Sequence, residues 1–88
     1  MVVIIPSSKF KKSVKHLNTG QRDKLEKVIS KILREPDIGK PLKYGRGERS
    51  MRIKPFRVVY SFRKDLETLY LLKFEHRGSI YEYKSKNI

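Results

Sequence analysis

Arg49, Arg52, Lys54 and Arg57 fall within the single stretch "RSMRIKPFRVVYSF", residues 49–62. Each guanidinium offers a rigid fork of donors that matches phosphate oxygens and stays charged at any working pH. Like charges on neighbouring strands repel, so a hairpin carrying this many cations implies an anion at the site. A second group of chemically useful residues follows late in the chain, in "EHRGSIYEY": Glu75, His76, Arg77, Tyr81 and Tyr83. Aromatic side chains beside cations can stack on a nucleobase while the cations hold the backbone. One such arginine alone reads as an ordinary solubilising charge; several aligned on one face do not.

The elements that must carry these residues can be read from periodicity. "VVII" (2–5) is β-branched throughout, stops at Pro6 and predicts a first, buried strand. In "SSKFKKSVKHL", Phe10, Val14 and Leu17 share one helical face, with Ser7 or Ser8 as N-cap. "NTG" interrupts, and Leu25, Val28, Ile29, Ile32 and Leu33 then mark a second helix, so the two form a hairpin. "DIGKPLKYGRGE" holds glycine and proline without period and reads as a basic loop. Three extended runs follow at 49–53, 56–62 and 68–76, and the tail is short and mixed. The expected fold is α+β: a two-helix hairpin packed on one face of a mostly antiparallel four-stranded sheet, in the order βααβββ, as one domain over 1–88.

Strict alternation assigns the faces. Met51 and Ile53, then Phe56, Val58, Tyr60 and Phe62, then Tyr70, Leu72 and Phe74 are expected beneath the helices. Ser50, Arg52, Lys54, Arg57, Val59, Ser61, Leu69, Leu71, Lys73, Glu75 and Arg77 are expected on the open face, where Arg57 and Arg77 become neighbours across antiparallel strands. Lys43 and Arg46 in the loop would overhang that face.

Composition narrows the partner. Lys and Arg number 22 against 9 Asp and Glu, a net charge of +13 with a pI near 10.2. The excess is one-sided rather than a network of both signs, which points to a polyanion, of which nucleic acid is the commonest. Without cysteine there is no disulfide, thiol nucleophile or thiolate metal site. "MVVIIP" suits neither a signal peptide nor a membrane span, so a cytoplasmic protein with no membrane partner is expected. With only His16 and His76 and no metal-ligand spacing, no metal and no cofactor is expected. "YGRGE" lacks the Lys-Ser or Lys-Thr of a phosphate loop, and there is no nucleophile elbow. The enzymatic reading left is metal-free RNA cleavage by the ribose 2′-OH. It needs a proton acceptor, cations for the phosphorane and a donor for the leaving oxygen. His76, Lys54, Tyr81 and Glu75 are the acceptors within reach.

"PLKYGRGERSMRIKPFRVVYSF" followed by "LYLLKFEHRGSIYEY" resembles the RelE/ParE superfamily of toxins from toxin-antitoxin pairs, across essentially the whole chain. The resemblance implies a toxin bound by a cognate acidic antitoxin. In the RelE branch the toxin enters the ribosomal A site and cleaves mRNA; in the ParE branch it poisons gyrase. On the RelE pattern the catalytic residues would be Arg52, Arg57, His76, Arg77 and Tyr81. Arg57 would hold the scissile phosphate, Arg77 would stabilise or protonate the leaving group, and Tyr81 would orient the base or nucleophile. Lys43, Arg46, Arg49, Lys54, Lys73 and Tyr83 would bind RNA. The chain departs from the pattern at "KP" (54–55), where relatives carry Gly-Asp, and at Ser50, where some carry a catalytic lysine.

Overall fold

In a computed structural model of the chain, the residues described are 2–42 and 47–76. The elements are β1 (Val3–Pro6), α1 (Ser8–Val14), α2 (Thr19–Arg34), β2 (Lys40–Pro41), β3 (Glu48–Ile53), β4 (Phe56–Arg63) and β5 (Thr68–His76). The strands form one sheet in the order β1-β5-β4-β3-β2. β1 runs parallel to β5 and every other pair is antiparallel. The sheet therefore has five strands rather than the expected four, the addition being the two-residue β2 inside the basic loop.

Both helix starts are capped by side chains. Ser7 Oγ accepts from the Phe10 amide at 3.0 Å, and Asn18 and Gln21 exchange hydrogen bonds in a capping box. "NTG" is thus less an interruption than the cap and first turn of α2. The helices lay Phe10, Leu25, Val28 and Ile32 against Phe56, Val58, Tyr60, Leu69, Leu71 and Phe74, all buried. Phe74 stacks at 5.0 Å from Phe56 and meets Phe10 edge-on at 6.0 Å. Each such buried side chain stabilises by about 1.5–3 kcal/mol.

Two expectations are corrected. β1 is not buried: it forms an edge, with Val3, Ile4 and Ile5 exposed, because a β-branched run fixes strand propensity without fixing position in the sheet. In β5, Tyr70 and Leu72 do not reach the core, whereas Leu69 and Leu71 do. The ladder pairs Val59 with Lys73 but Tyr60 with Leu71, so Leu72 is an extra residue that reverses the facing of everything before it. The bulge is fastened to the start of α1, where Ser7 Oγ donates to the Leu72 carbonyl at 2.7 Å and the Ser7 amide donates to that of Leu71 at 2.8 Å.

Candidate nucleic-acid interface

Beyond the bulge, β5 returns to the expected phase, and this places the site. Arg52 pairs directly with Arg57, and Arg57 with Glu75, so two guanidiniums and a carboxylate form one row across β3, β4 and β5 on the face away from the helices. Lys73 lies one rung further along β5, opposite Val59, and Lys54 sits exposed in the turn that closes the β3–β4 hairpin. The row stays at the sheet end where β1 has already stopped, since β1 pairs no further than Leu71. That leaves the flank of β5 open, and a groove of about 370 Å³ forms there between α1 and β5, lined by Lys9, Ser13, Lys73, Phe74 and Glu75. Lys9 thus borders the row, a neighbour that strand alternation cannot reveal, because it comes from another layer.

The row is only partly neutralised from within. Arg57 Nε lies 4.0 Å from Glu75 Oε1, outside hydrogen-bond distance. That nitrogen is itself buried and has no hydrogen-bond partner among the described residues. A buried N–H without an acceptor costs free energy, and a ligand oxygen entering between Arg57 and Glu75 would recover it. Arg52 is exposed and makes no ion pair among the described residues. The arrangement can bind a phosphodiester at two guanidiniums and hold a carboxylate beside it.

Arg49 is not part of this row. It lies on the helix side of β3, where Nη1 donates to the Gly39 carbonyl at 2.8 Å and to that of Asp37 at 3.2 Å, and Nη2 is 3.5 Å from Asp37 Oδ1. Tyr60, opposite it on β4, completes the same knot: its hydroxyl donates to the Pro36 carbonyl at 2.7 Å and accepts from the Gly39 amide at 2.9 Å. Burial holds the Tyr60 phenol above its usual range. Gly39 is required by space, since a Cβ there would meet the Tyr60 hydroxyl at 2.7 Å and the Ser50 carbonyl at 2.8 Å. His76 pairs with Phe56 at the end of the β4–β5 ladder. Lys43, Arg46, Arg77, Tyr81 and Tyr83 lie outside the described residues.

Two helices packed on a mixed five-stranded sheet with a basic open face define the class of small toxins with the RelE/ParE fold. A family model described as the ParE toxin of the type II toxin-antitoxin system parDE matches residues 4–81, and the chain belongs to that toxin family within the RelE/ParE superfamily. Comparison with curated protein sequences returns no match. Among solved structures, the toxin in the intact E. coli RelBE toxin-antitoxin complex superposes with a TM-score of 0.76 at 16% identity, over 86% of this chain and 96% of that one. The isolated E. coli RelE toxin gives 0.75 at 17% identity, over 99% and 98%. The RelB-RelE complex of Methanococcus jannaschii gives 0.66 at 19% identity, over 90% and 96%.

Proposed function

We propose that the chain is a ribosome-dependent endoribonuclease, an mRNA interferase that cleaves by attack of the ribose 2′-OH on the adjacent phosphate. The observation that carries this reading is the row Arg52, Arg57, Glu75, which sets two phosphate-binding cations next to a proton acceptor. Arg52 and Arg57 hold the non-bridging oxygens and stabilise the charge that grows on them in the phosphorane. Glu75 takes the 2′ proton, a carboxylate being a better base than a guanidinium. As the 2′-oxygen bonds to phosphorus, the bond to the 5′-oxygen breaks; Arg77 stabilises the charge on that leaving oxygen, which takes its proton from His76 or Tyr81, nearby in sequence, or from water. The products are a 2′,3′-cyclic phosphate and a 5′-hydroxyl. Such a protein works in the cytoplasm.

A chain with a net charge of +13 needs a counterpart when it is not acting. The partner proposed is an acidic antitoxin whose carboxylates occupy the Arg52–Arg57 row, and two of the structural relatives are toxins solved with their antitoxins. Primer extension on translated messages tests the enzymatic reading: wild type cuts, while Arg57→Ala and Arg77→Ala do not. Equal cutting by both variants overturns the site. The matched family model is the ParE one, which favours gyrase inhibition as the second reading. Loss of supercoiling by purified gyrase, with no RNA cut, would put that reading in place of the first.

A further inference from the structure

α2 carries a second basic surface that the row on the sheet does not use. Lys24, Lys27, Lys31 and Arg34 recur at intervals of three and four residues, so they form one stripe along the flank of the helix. All four are exposed, and none makes an ion pair among the described residues. They line a groove of about 560 Å³ whose floor includes Ile53 of β3. Asp23 and Glu26 also line it, both near its N-terminal end, which leaves Lys27, Lys31 and Arg34 as an unbroken cationic run. Like charges at these spacings destabilise a helix, and no acidic side chain lines the groove between Lys27 and Arg34 to offset them.

Ile53 packs towards the helices, whereas Arg52 beside it faces away from them. The stripe and the Arg52–Arg57 row therefore lie on opposite sides of the sheet. We propose that the α2 stripe is a second, independent docking site for the sugar-phosphate backbone of a structured RNA segment, distinct from the strand held on the sheet face. The stripe extends for about 15 Å along the helix axis at 1.5 Å per residue. At about 3.4 Å of rise per nucleotide, that length runs beside roughly four phosphates of one strand, one for each cation. A protein partner would need apolar anchors as well as charge, and Ile53 is the one apolar side chain in the lining. The inference rests on the RNA reading of the sheet face only in naming RNA as the polyanion.

The test measures binding of the full chain to a random-sequence RNA duplex by fluorescence anisotropy across a salt series. The variants are a quadruple Lys24→Gln, Lys27→Gln, Lys31→Gln, Arg34→Gln chain, a sheet-face Arg52→Gln, Arg57→Gln chain, and a rescue chain with Lys24→Arg, Lys27→Arg and Lys31→Arg. Each phosphate contact contributes about 0.9 to the slope of log affinity against log salt, so the quadruple variant, which removes four, should flatten that slope by about 3.6. The rescue chain should bind as wild type does, and the quadruple variant should melt no lower than wild type, since it removes repulsion without touching the core. An unchanged slope in the quadruple variant, or a loss confined to the sheet-face variant, overturns the proposal. So does unaltered RNA binding accompanied by loss of binding to an acidic peptide, which would assign the stripe to a protein. Failure of wild type to cut RNA would sink the interferase reading and leave this measurement intact.

Discussion

Arg49 and Arg57 belong to the same β hairpin and carry the same side chain, yet they do opposite work. Arg49 is consumed by the fold: two carbonyls and a carboxylate surround its guanidinium and tie the Pro36–Gly39 loop to β3. Arg57 keeps a buried N–H with no acceptor among the described residues and a carboxylate held just beyond hydrogen-bond distance. A cation engaged by oxygens within the chain contributes to the stability of the fold. One left partly unanswered retains the capacity to bind a ligand. The difference comes from facing: Arg49 pairs with Tyr60 on the helix side of the sheet, whereas Arg57 lies between the core residues Phe56 and Val58 and so faces the open side.

The comparison can be broken at either end. Arg57→Ala should have the largest effect, a loss of cleavage on the order of 10²–10³-fold with little change in melting temperature, read by primer extension and thermal unfolding. Glu75→Gln should reduce cleavage by about 10²-fold while binding of RNA carrying a 2′-deoxy scissile nucleotide holds or tightens. Loss of that binding together with cleavage would make Glu75 a structural partner of Arg57 instead of the base.

On the other side of the sheet the effects move to stability. Tyr60→Phe strands the Gly39 amide and the Pro36 carbonyl and should cost about 1–3 kcal/mol in denaturant unfolding, with cleavage per folded molecule unchanged. Tyr60 should also govern alkaline unfolding. Its folded pKa is raised by burial above an unfolded value near 10, so the folded state binds the proton more tightly. That stability is complete below about pH 10 and is lost as pH rises through the folded value; the Phe variant should lose this part of the slope. The smallest effect is expected at Arg63, whose hydrogen bonds to Asp65 at 3.1 and 3.2 Å are fully exposed. They hold the Asp65 carboxyl below its ordinary range, yet Arg63→Ala should leave the melting temperature unmoved because water screens the pair.

The second helix, the β3–β4 hairpin and the limits of β5 follow from periodicity and from the breakers Pro36 and "KP", because these signals lie within one element. The edge position of β1, the added strand β2 and the exposure of Val3, Ile4 and Ile5 do not, since they depend on which strand pairs with which. The bulge at Leu72 is of the same kind. Nothing in "TLYLLKFEH" marks an inserted residue; the partner strand and the Ser7 cap of α1 create it. Alternation alone therefore put Leu69 and Leu71 on the wrong face and still placed Lys73, Phe74 and Glu75 correctly. The charge of Arg49 is visible in the sequence, whereas the Asp37 and Gly39 oxygens that engage it are brought to it only by the fold.

By itself the sequence determined the charge, the helical hairpin, the three long strands and the facing of Arg52 and Arg57 on opposite arms of a two-residue turn. These rest on local spacing, which the backbone converts directly into geometry. Only the tertiary structure decided that Glu75 stands beside Arg57, that Arg49 is spent on the fold and that Lys9 borders the site. It also decided that the α2 stripe lies across the sheet from the row. Those relations join residues from different elements, and pairing register and layer packing, not spacing along the chain, bring them together.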